Sequence, residues 1–495
     1  MALLIGDLFR RNAAAAPHAV AAEMEGTSLT HAELDRAGNR VAHALAELGI
    51  GRGDRVVTWS DTSLDVLPLF VALAKLGAVF APANARHGAE EAMPVVESAR
   101  AKLLVADAAR IGVAQQVARQ AGVSLLARFS REDGPGIALH PEELPPADDD
   151  LTIPDLDERD PHVVFFTSGS TGKPKGVVLS HRANYLRTFQ GVFRDEPERS
   201  VCMFPLFHMA AFTLALAAWQ TRGEIVFVKT PTADALLDAV ERRRANRLYC
   251  IPAVWSRILQ ADTKRRNLSS LVQIDTGTSA TPPELIHALR ERFPEATIRI
   301  YYGSTECGTG AALSNADVMR KPGSVGVAPV GGDLRLAANG EICVRSDTLM
   351  DGYFENPAAT AEALQDGWYH TGDLGALDDE GYLQVTGRLK DVIRTGGETI
   401  SPTEVEGVLA KHPDVAEVAV VGLPDPDWGE VVCAVVVARE GATPTLESLQ
   451  RHCDESLAAF KKPRRLERAD SLPRTPATGQ IQRPLLVERI ASQLD

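Results

Sequence analysis

Phe165-Phe166-Thr167-Ser168-Gly169-Ser170-Thr171-Gly172-Lys173-Pro174-Lys175-Gly176 is the stretch on which the reading of this chain turns. It leaves an apolar, β-prone run beginning at Val163 and becomes a polar loop. Gly169, Gly172 and Gly176 let the backbone approach an anion, the hydroxyls of Thr167, Ser168, Ser170 and Thr171 can donate to it, and Lys173 and Lys175 supply charge. The spacing is not that of a Walker loop, and Pro174 holds Lys173 extended and blocks direct entry into a helix. The stretch reads as a lid over a nucleotide's phosphates, with a polar surface turn as the plain alternative.

Working outward, strands and helices alternate on both sides. Arg55–Trp59 and Ala78–Pro82 read as strands, Leu34–Leu48 and Leu67–Leu76 as helices. After the loop come a helix from His181, a strand Glu224–Val228, a helix Ala233–Ala245, and strands Arg247–Ile251 and Ile298–Tyr302. Such alternation implies an α/β architecture. The segment Arg131–Pro161, rich in Pro, Asp and Glu, reads as a solvated connector between two halves of one large domain. From Gly331 short strands such as Glu341–Arg345 suggest a β-rich lobe, and the tail from about Asp391 forms a small α+β unit. There Ser401-Pro402-Thr403-Glu404 predicts a capping box. Leu446, Leu449, Cys453, Leu457 and Phe460 trace one face of a further helix.

The 495 residues suffice for two or three domains, and the formal net charge of −14 argues against nucleic-acid binding through phosphate neutralisation. Six dispersed cysteines without a CxxC pair suggest neither a disulfide framework nor a zinc site, and fit a reducing cytoplasm. The N-terminus lacks the basic residues of a signal peptide, and the apolar run Val201–Trp219 is broken by Pro205 and His208, so no membrane span is expected.

Further motifs follow in order: Phe204-Pro205-Leu206-Phe207-His208, Tyr301-Tyr302-Gly303-Ser304-Thr305-Glu306, Tyr369-His370-Thr371-Gly372-Asp373, Gly387-Arg388-Leu389-Lys390-Asp391 and Gly396-Gly397-Glu398-Thr399-Ile400-Ser401-Pro402. Together with the polar loop, this set resembles the adenylate-forming superfamily, in its acyl-CoA synthetase and acid–CoA ligase branch. The resemblance spans essentially the whole chain. It implies a large N-terminal domain (1–389) of two α/β subdomains plus the β-rich lobe, and a mobile α+β C-terminal domain (390–495) hinged at Lys390. It implies ATP, Mg²⁺ and coenzyme A as reactants or cofactors, a small carboxylic acid as substrate, a place in metabolism of the fatty-acid type, and a monomer or homodimer. Residue by residue, Thr167, Ser168, Gly169, Ser170, Thr171, Gly172, Lys173 and Lys175 correspond to the phosphate loop. Gly277, Thr278 and Ser279 line the nucleotide and acyl region. Tyr301, Tyr302, Gly303, Ser304 and Thr305 take adenine and the α-phosphate, with Glu306 as the Mg²⁺ ligand. Asp373 and Arg388 contact ribose, and Gly396 and Gly397 belong to the loop after the hinge. His208 corresponds to a gate beside the acyl site.

Adenylation domains for α-amino acids usually carry Asp after the Phe corresponding to Phe207; here His208 stands there, followed by Met209, Ala210, Ala211 and Phe212. An unpaired ammonium would be costly in that setting, so an acid without an α-amine is expected. Thr278 replaces a glycine of the family pattern and hints at a shorter or partly polar acid. No extra segment lies between Gly331 and Arg388 of the kind that marks fatty acyl-AMP ligases, which favours CoA as acceptor over a carrier protein; transfer to a carrier protein or an amine stays the alternative. The departure comes at Gly479-Gln480, where the family's catalytic lysine is replaced by Gln480, a donor without charge. Three explanations stay open: an engineered change, compensation by Lys461, Lys462 or Arg483, or an adenylate-binding protein with weak turnover. Lys461 and Lys462 resemble phosphate contacts for CoA more than a replacement catalyst.

Overall fold

The computed structural model describes the chain apart from residues 1, 130–133, 148, 152, 168–173, 190–195, 262–265, 397, 455, 476–478 and 493–495. Ser168, Gly169, Ser170, Thr171, Gly172, Lys173 and Gly397 therefore lie outside the described residues. The chain forms two compact units, one of Met1–Arg320, Ala328–Asp333 and Arg345–Tyr369, the other of Lys321–Val327, Leu334–Val344 and His370–Asp495.

The first unit holds two eight-stranded sheets. One runs Gly352–Tyr353, Lys175–Ser180, Pro161–Thr167, Val79–Ala83, Arg55–Trp59, Leu103–Ala106, Leu125–Arg128, Ile137–Ala138. The other runs Gly308–Leu313, Thr297–Ser304, Gln273–Gly277, Arg247–Tyr249, Arg199–Cys202, Glu224–Phe227, Val20–Met24, Thr27–Thr30. Both are parallel in their middle strands, which explains why Val79–Ala83 and Leu103–Ala106 are apolar without alternation: both faces are covered. The α/β expectation holds, with element ends shifted by a few residues.

Helix Val66–Leu76 is buried at all eleven positions, Lys75 included. A buried ammonium must be paired. Lys75 Nζ lies 2.6 Å from Asp35, 2.6 Å from Asn39 Oδ1 and 2.5 Å from Asp150. Asp150 belongs to the segment expected to be a solvated connector; its described residues are mostly exposed or half-buried, and Asp150 ties it to the interior. Burial would raise the Asp150 carboxyl, but Lys75 and Arg10 hold it below the usual carboxylate range. The run from Val201 resolves as expected into a strand, a turn and the buried helix Met209–Gln220. No helix among the described residues is long and apolar enough to cross a membrane.

In the second unit the tail is built on a long antiparallel hairpin, Val415–Asp425 with Gly429–Ala438. Beyond a register shift between Val415 and Glu417 its side chains alternate. Val418, Val420, Val432, Ala434 and Val436 share a core with helices Pro402–Leu409 and Leu446–Cys453. Ala419, Val421, Val431, Cys433 and Val435 face the helix Arg483–Ala491.

Two local expectations fail there. Ser401 is the N-cap residue and Pro402 opens the helix, but no capping box forms. The Ser401 hydroxyl donates to the Thr386 carbonyl, and the Glu404 carboxylate is held by Lys461 at 2.6 Å, so tertiary partners displaced the local ones. The later helix closes at Cys453, yet Leu457 and Phe460 still join the same core beyond its end.

Candidate active site

Parallel α/β sheets leave a crevice outside the carboxyl ends of their strands. Arg199–Cys202, Arg247–Tyr249, Gln273–Gly277 and Thr297–Ser304 are successive parallel neighbours, so their carboxyl ends open on one edge. That edge gathers residues far apart in sequence: His208 after the first strand, Tyr249 on the second, Gly277, Thr278 and Ser279 at the third, and Tyr301 to Glu306 at the fourth. An aromatic file connects them. The His208 ring stacks on Phe204 at 5.6 Å, Phe204 meets Tyr249 at 5.5 Å, and Tyr249 stacks on Tyr301 at 6.2 Å.

His208 caps the helix Met209–Gln220, its Nδ1 accepting from the Ala210 N–H at 3.2 Å. With Nδ1 an acceptor, the neutral ring carries its proton on Nε2. Burial pushes the imidazole down to about 4, so it is uncharged at neutral pH. Thr278 holds a left-handed backbone (φ 66°), a strained state for a β-branched residue, and its hydroxyl donates to the Gly277 carbonyl at 2.6 Å. It therefore brings bulk to this edge more than free polarity.

The turn carrying Thr305 and Glu306 follows a bulge between Tyr302 and Gly303. A Cβ at Gly303 would lie 1.9 Å from the Gly308 carbonyl oxygen, so no side chain fits. Ser304 Oγ accepts from the Cys307 N–H at 3.3 Å and closes the turn. The turn is clamped from below by Arg187, which donates to the carbonyls of Thr305 (2.7 Å), Glu306 (2.9 Å) and Thr348 (2.7 Å). Burial pushes the Arg187 guanidinium down to about 10, still cationic at neutral pH. Tyr353 donates its hydroxyl to Glu306 Oε1 at 3.2 Å, and Lys175 lies 5.2 Å above the Tyr353 ring. Lys175 faces Thr167 across the hairpin that flanks the phosphate loop. Loop base, Tyr353 and Glu306 are thus in one chain of contacts. A half-buried carboxylate oriented by a hydroxyl fits Mg²⁺, which takes one or two carboxylates and completes its shell with phosphate oxygens and water.

Arg187 and Tyr353 are absent from the motif reading. Arg187 sits in an ordinary helix, His181–Thr188, and its partners are over a hundred residues away, so neither periodicity nor spacing marks it.

In the second unit Asp373 lies opposite Arg388 across paired strands, and Arg388 Nε reaches Asp373 Oδ1 at 3.0 Å. Thr371 Oγ1 accepts from the Asp373 N–H at 3.0 Å. Lys390 is exposed in the 3₁₀ turn Leu389–Asp391. Gly396 adopts φ 56°, and a Cβ there would strike the Trp428 ring at 2.8 Å; Arg464 covers that ring at 3.8 Å. Gln480 is exposed, its backbone held by Thr475 through two bonds of 2.8 and 3.1 Å. Of the cations considered as replacements for a lysine there, Arg483 pairs with Glu406 (2.7 Å) and Asp391 (3.2 Å), Lys461 with Glu404, and Lys462 with Asp454. Each is already neutralised within its own unit.

Comparison with known proteins agrees with this arrangement. The AMP-binding enzyme family matches residues 9–354, and the AMP-binding enzyme C-terminal domain matches residues 404–478. The long-chain-fatty-acid–CoA ligase FadD13 of Mycobacterium tuberculosis is 32% identical, the alignment covering 99% of each chain. The feruloyl-CoA synthase of an Amycolatopsis species is 35% identical over 95% of this chain and 96% of its own. The solved amide bond synthetase McbA from Marinactinospora thermotolerans superposes with a TM-score of 0.86 at 28% identity, covering 98% of this chain and 99% of its own. The chain therefore belongs to the adenylate-forming AMP-binding enzymes and is an AMP-forming ligase.

Proposed function

We propose that this enzyme activates a carboxylic acid lacking an α-amine with ATP and transfers the acyl group to coenzyme A. The observation that carries the reading is His208, half-buried and neutral at the sheet edge where an amino-acid substrate would require a carboxylate. In the first half-reaction the substrate carboxylate forms a bond to the α-phosphorus of ATP while the bond to pyrophosphate breaks. Glu306, held by Arg187 and Tyr353, would hold Mg²⁺, which offsets phosphate charge when bound. Thr305 donates to the α-phosphate, Tyr302 stacks on adenine, and Thr167 and Lys175 carry the base of the phosphate loop. Asp373 and Arg388 receive the ribose. In the second half-reaction the CoA sulfur bonds the acyl carbon, the thiol proton leaves to solvent and AMP departs. A rotation of residues 390–495 about Lys390 separates the two steps. We place the reaction in the cytoplasm, where six unpaired buried cysteines stay reduced.

The acid we favour is shorter than a long fatty chain, because Thr278 adds bulk where the family pattern has glycine. The test is AMP release from ATP, Mg²⁺ and CoA across short, medium-chain and aryl acids, with this chain and Gln480→Lys in parallel. Release by the lysine form with CoA supports the ligase. No release by either form for any acid counts against it.

A second reading keeps adenylation but delivers the acyl group to an amine, favoured by Gln480 and by the likeness to an amide bond synthetase. Amide formation from acid, ATP and an amine, with free CoA ignored, would select it.

A further inference from the structure

Three dispersed residues without any metal-binding spacing meet in the second unit. Glu341 and Cys343 are two apart on the strand Glu341–Ser346 and so share a face, and His370 lies on the neighbouring strand Trp368–Leu377. One carboxylate oxygen, the thiol sulfur and a ring nitrogen lie within 4.8 Å of one another. Cys343 Sγ is 3.6 Å from His370 Nδ1, which is 2.9 Å from Glu341 Oε2. Glu341 and Cys343 are buried, while the His370 side chain is 20% exposed and gives access from water.

We propose that Glu341, Cys343 and His370 form a second cation site, selective for Zn²⁺ or another thiophilic divalent ion, with water as fourth ligand. The donor chemistry decides the class of ion: Mg²⁺ and Ca²⁺ take oxygen, whereas a sulfur–nitrogen–carboxylate set suits Zn²⁺. The 3.6 Å sulfur–nitrogen spacing is that of one edge of a tetrahedron with metal–ligand bonds of about 2.0–2.3 Å, while the 2.9 Å carboxylate–imidazole contact must open slightly.

The surroundings already hold the ligands. Glu341 Oε1 accepts from the Gly372 N–H at 2.9 Å, which leaves Oε2 toward His370, and Asn339 Oδ1 accepts from the Glu341 N–H at 3.1 Å. Burial and then the Glu341 charge hold the Cys343 thiol above its usual range, and Arg335, which hydrogen-bonds the sulfur, partly offsets them. As the sulfur–metal bond forms, the thiol proton leaves to solvent. Because Gly372 separates Thr371 from Asp373, an ion here also stiffens the turn to which the proposed function assigns ribose; that consequence alone rests on the functional reading.

The experiment titrates the full-length chain with Co²⁺, then Zn²⁺, in excess Mg²⁺ and without ATP. The expected result is one Co²⁺ per chain, with the visible bands of four-coordinate cobalt and a sulfur-to-metal charge-transfer band, both removed by Zn²⁺. Cys343→Ser should abolish the charge-transfer band. His370→Gln should weaken binding by more than the roughly 10–100-fold that loss of an outer-shell partner costs. Melting curves without metal show that each variant is folded, and if Cys343→Ser is not, the His370→Gln titration decides. No charge-transfer band in the native chain, one that survives Cys343→Ser, or unchanged affinity in His370→Gln overturns the proposal. These bands are read without turnover, so a failure of the ligase reading leaves them untouched.

Discussion

Arg187 donates to the main-chain carbonyl of Glu306 at 2.9 Å across 119 residues of sequence, while its other nitrogens hold Thr305 and Thr348. The carboxylate that the proposed function assigns to Mg²⁺ is therefore aimed through its backbone by a half-buried cation. Arg187→Lys keeps the charge but loses the fork. Since a misplacement of about 1 Å can cost on the order of 100-fold in rate, we expect kcat for pyrophosphate release to fall by about that factor. The apparent KM for Mg²⁺ should rise with it. A variant with native kcat and native Mg²⁺ dependence would show that the clamp is dispensable.

Gln480 sets the rate of the first half-reaction in the proposed function. Losing one preorganised donor to developing charge costs on the order of 10²–10³ in kcat, so Gln480→Lys should speed pyrophosphate release by at least about 100-fold. Thiolation of a presynthesised acyl-adenylate should change little. Equal rates for both chains in pyrophosphate release would mean the position does not act in adenylation.

Thr278 carries backbone strain of roughly 1–3 kcal/mol, part of which a glycine returns as chain entropy of about 1 kcal/mol. Thr278→Gly should therefore raise Tm slightly and shift kcat/KM toward longer acids, read from a chain-length series. A fall in Tm would show that the Thr278 hydroxyl bond to Gly277 outweighs the strain.

His162 and His181 stack at 4.7 Å in the interior. Burial depresses both imidazoles, His162 further by the neighbouring His181, and His181 sits at about 4 despite Asp160. Depressed histidines favour the neutral fold, so their contribution is complete above the unfolded value near 6.5 and is lost as pH falls toward 4. For His181 the loss is roughly 3 kcal/mol. Denaturant titrations should show stability dropping from pH 7 to 4.5, and His181→Asn, which keeps an acceptor for the Ile5 N–H, should flatten that drop. Parallel curves for the two proteins would sink the assignment.

The parallel strands were legible because burial on both faces leaves unbroken apolar runs such as Val79–Ala83, and the hairpin Val415–Ala438 because its valines serve two cores in alternation. The motif residues at the strand ends were legible as chemistry, since glycine, hydroxyl and carboxylate residues crowd there in an order that matches a known family. What local pattern could not show was competition between partners. Ser401 and Glu404 satisfy every rule of a capping box, yet Thr386 and Lys461 take their polar atoms. Arg187, Tyr353 and the Glu341–Cys343–His370 cluster are products of strand pairing and long-range packing, and no spacing in the chain announces them.

Lys75 gives the segment before Pro161 a role that its composition hides. A fully buried ammonium shares its counter-charge between Asp35 in the preceding helix and Asp150 in the apparent linker. The linker is thus part of the electrostatic closure of the interior, and its two ends are unequal. Cleavage or insertion near Gly134–Pro146 leaves that closure whole, whereas a deletion reaching Asp150 leaves Lys75 to Asp35 and Asn39, a loss smaller than the roughly 3–5 kcal/mol of a fully buried pair because Asp150 is partly in water. A change in this connector that moves Asp150 therefore carries an electrostatic cost that a change in its exposed stretches does not.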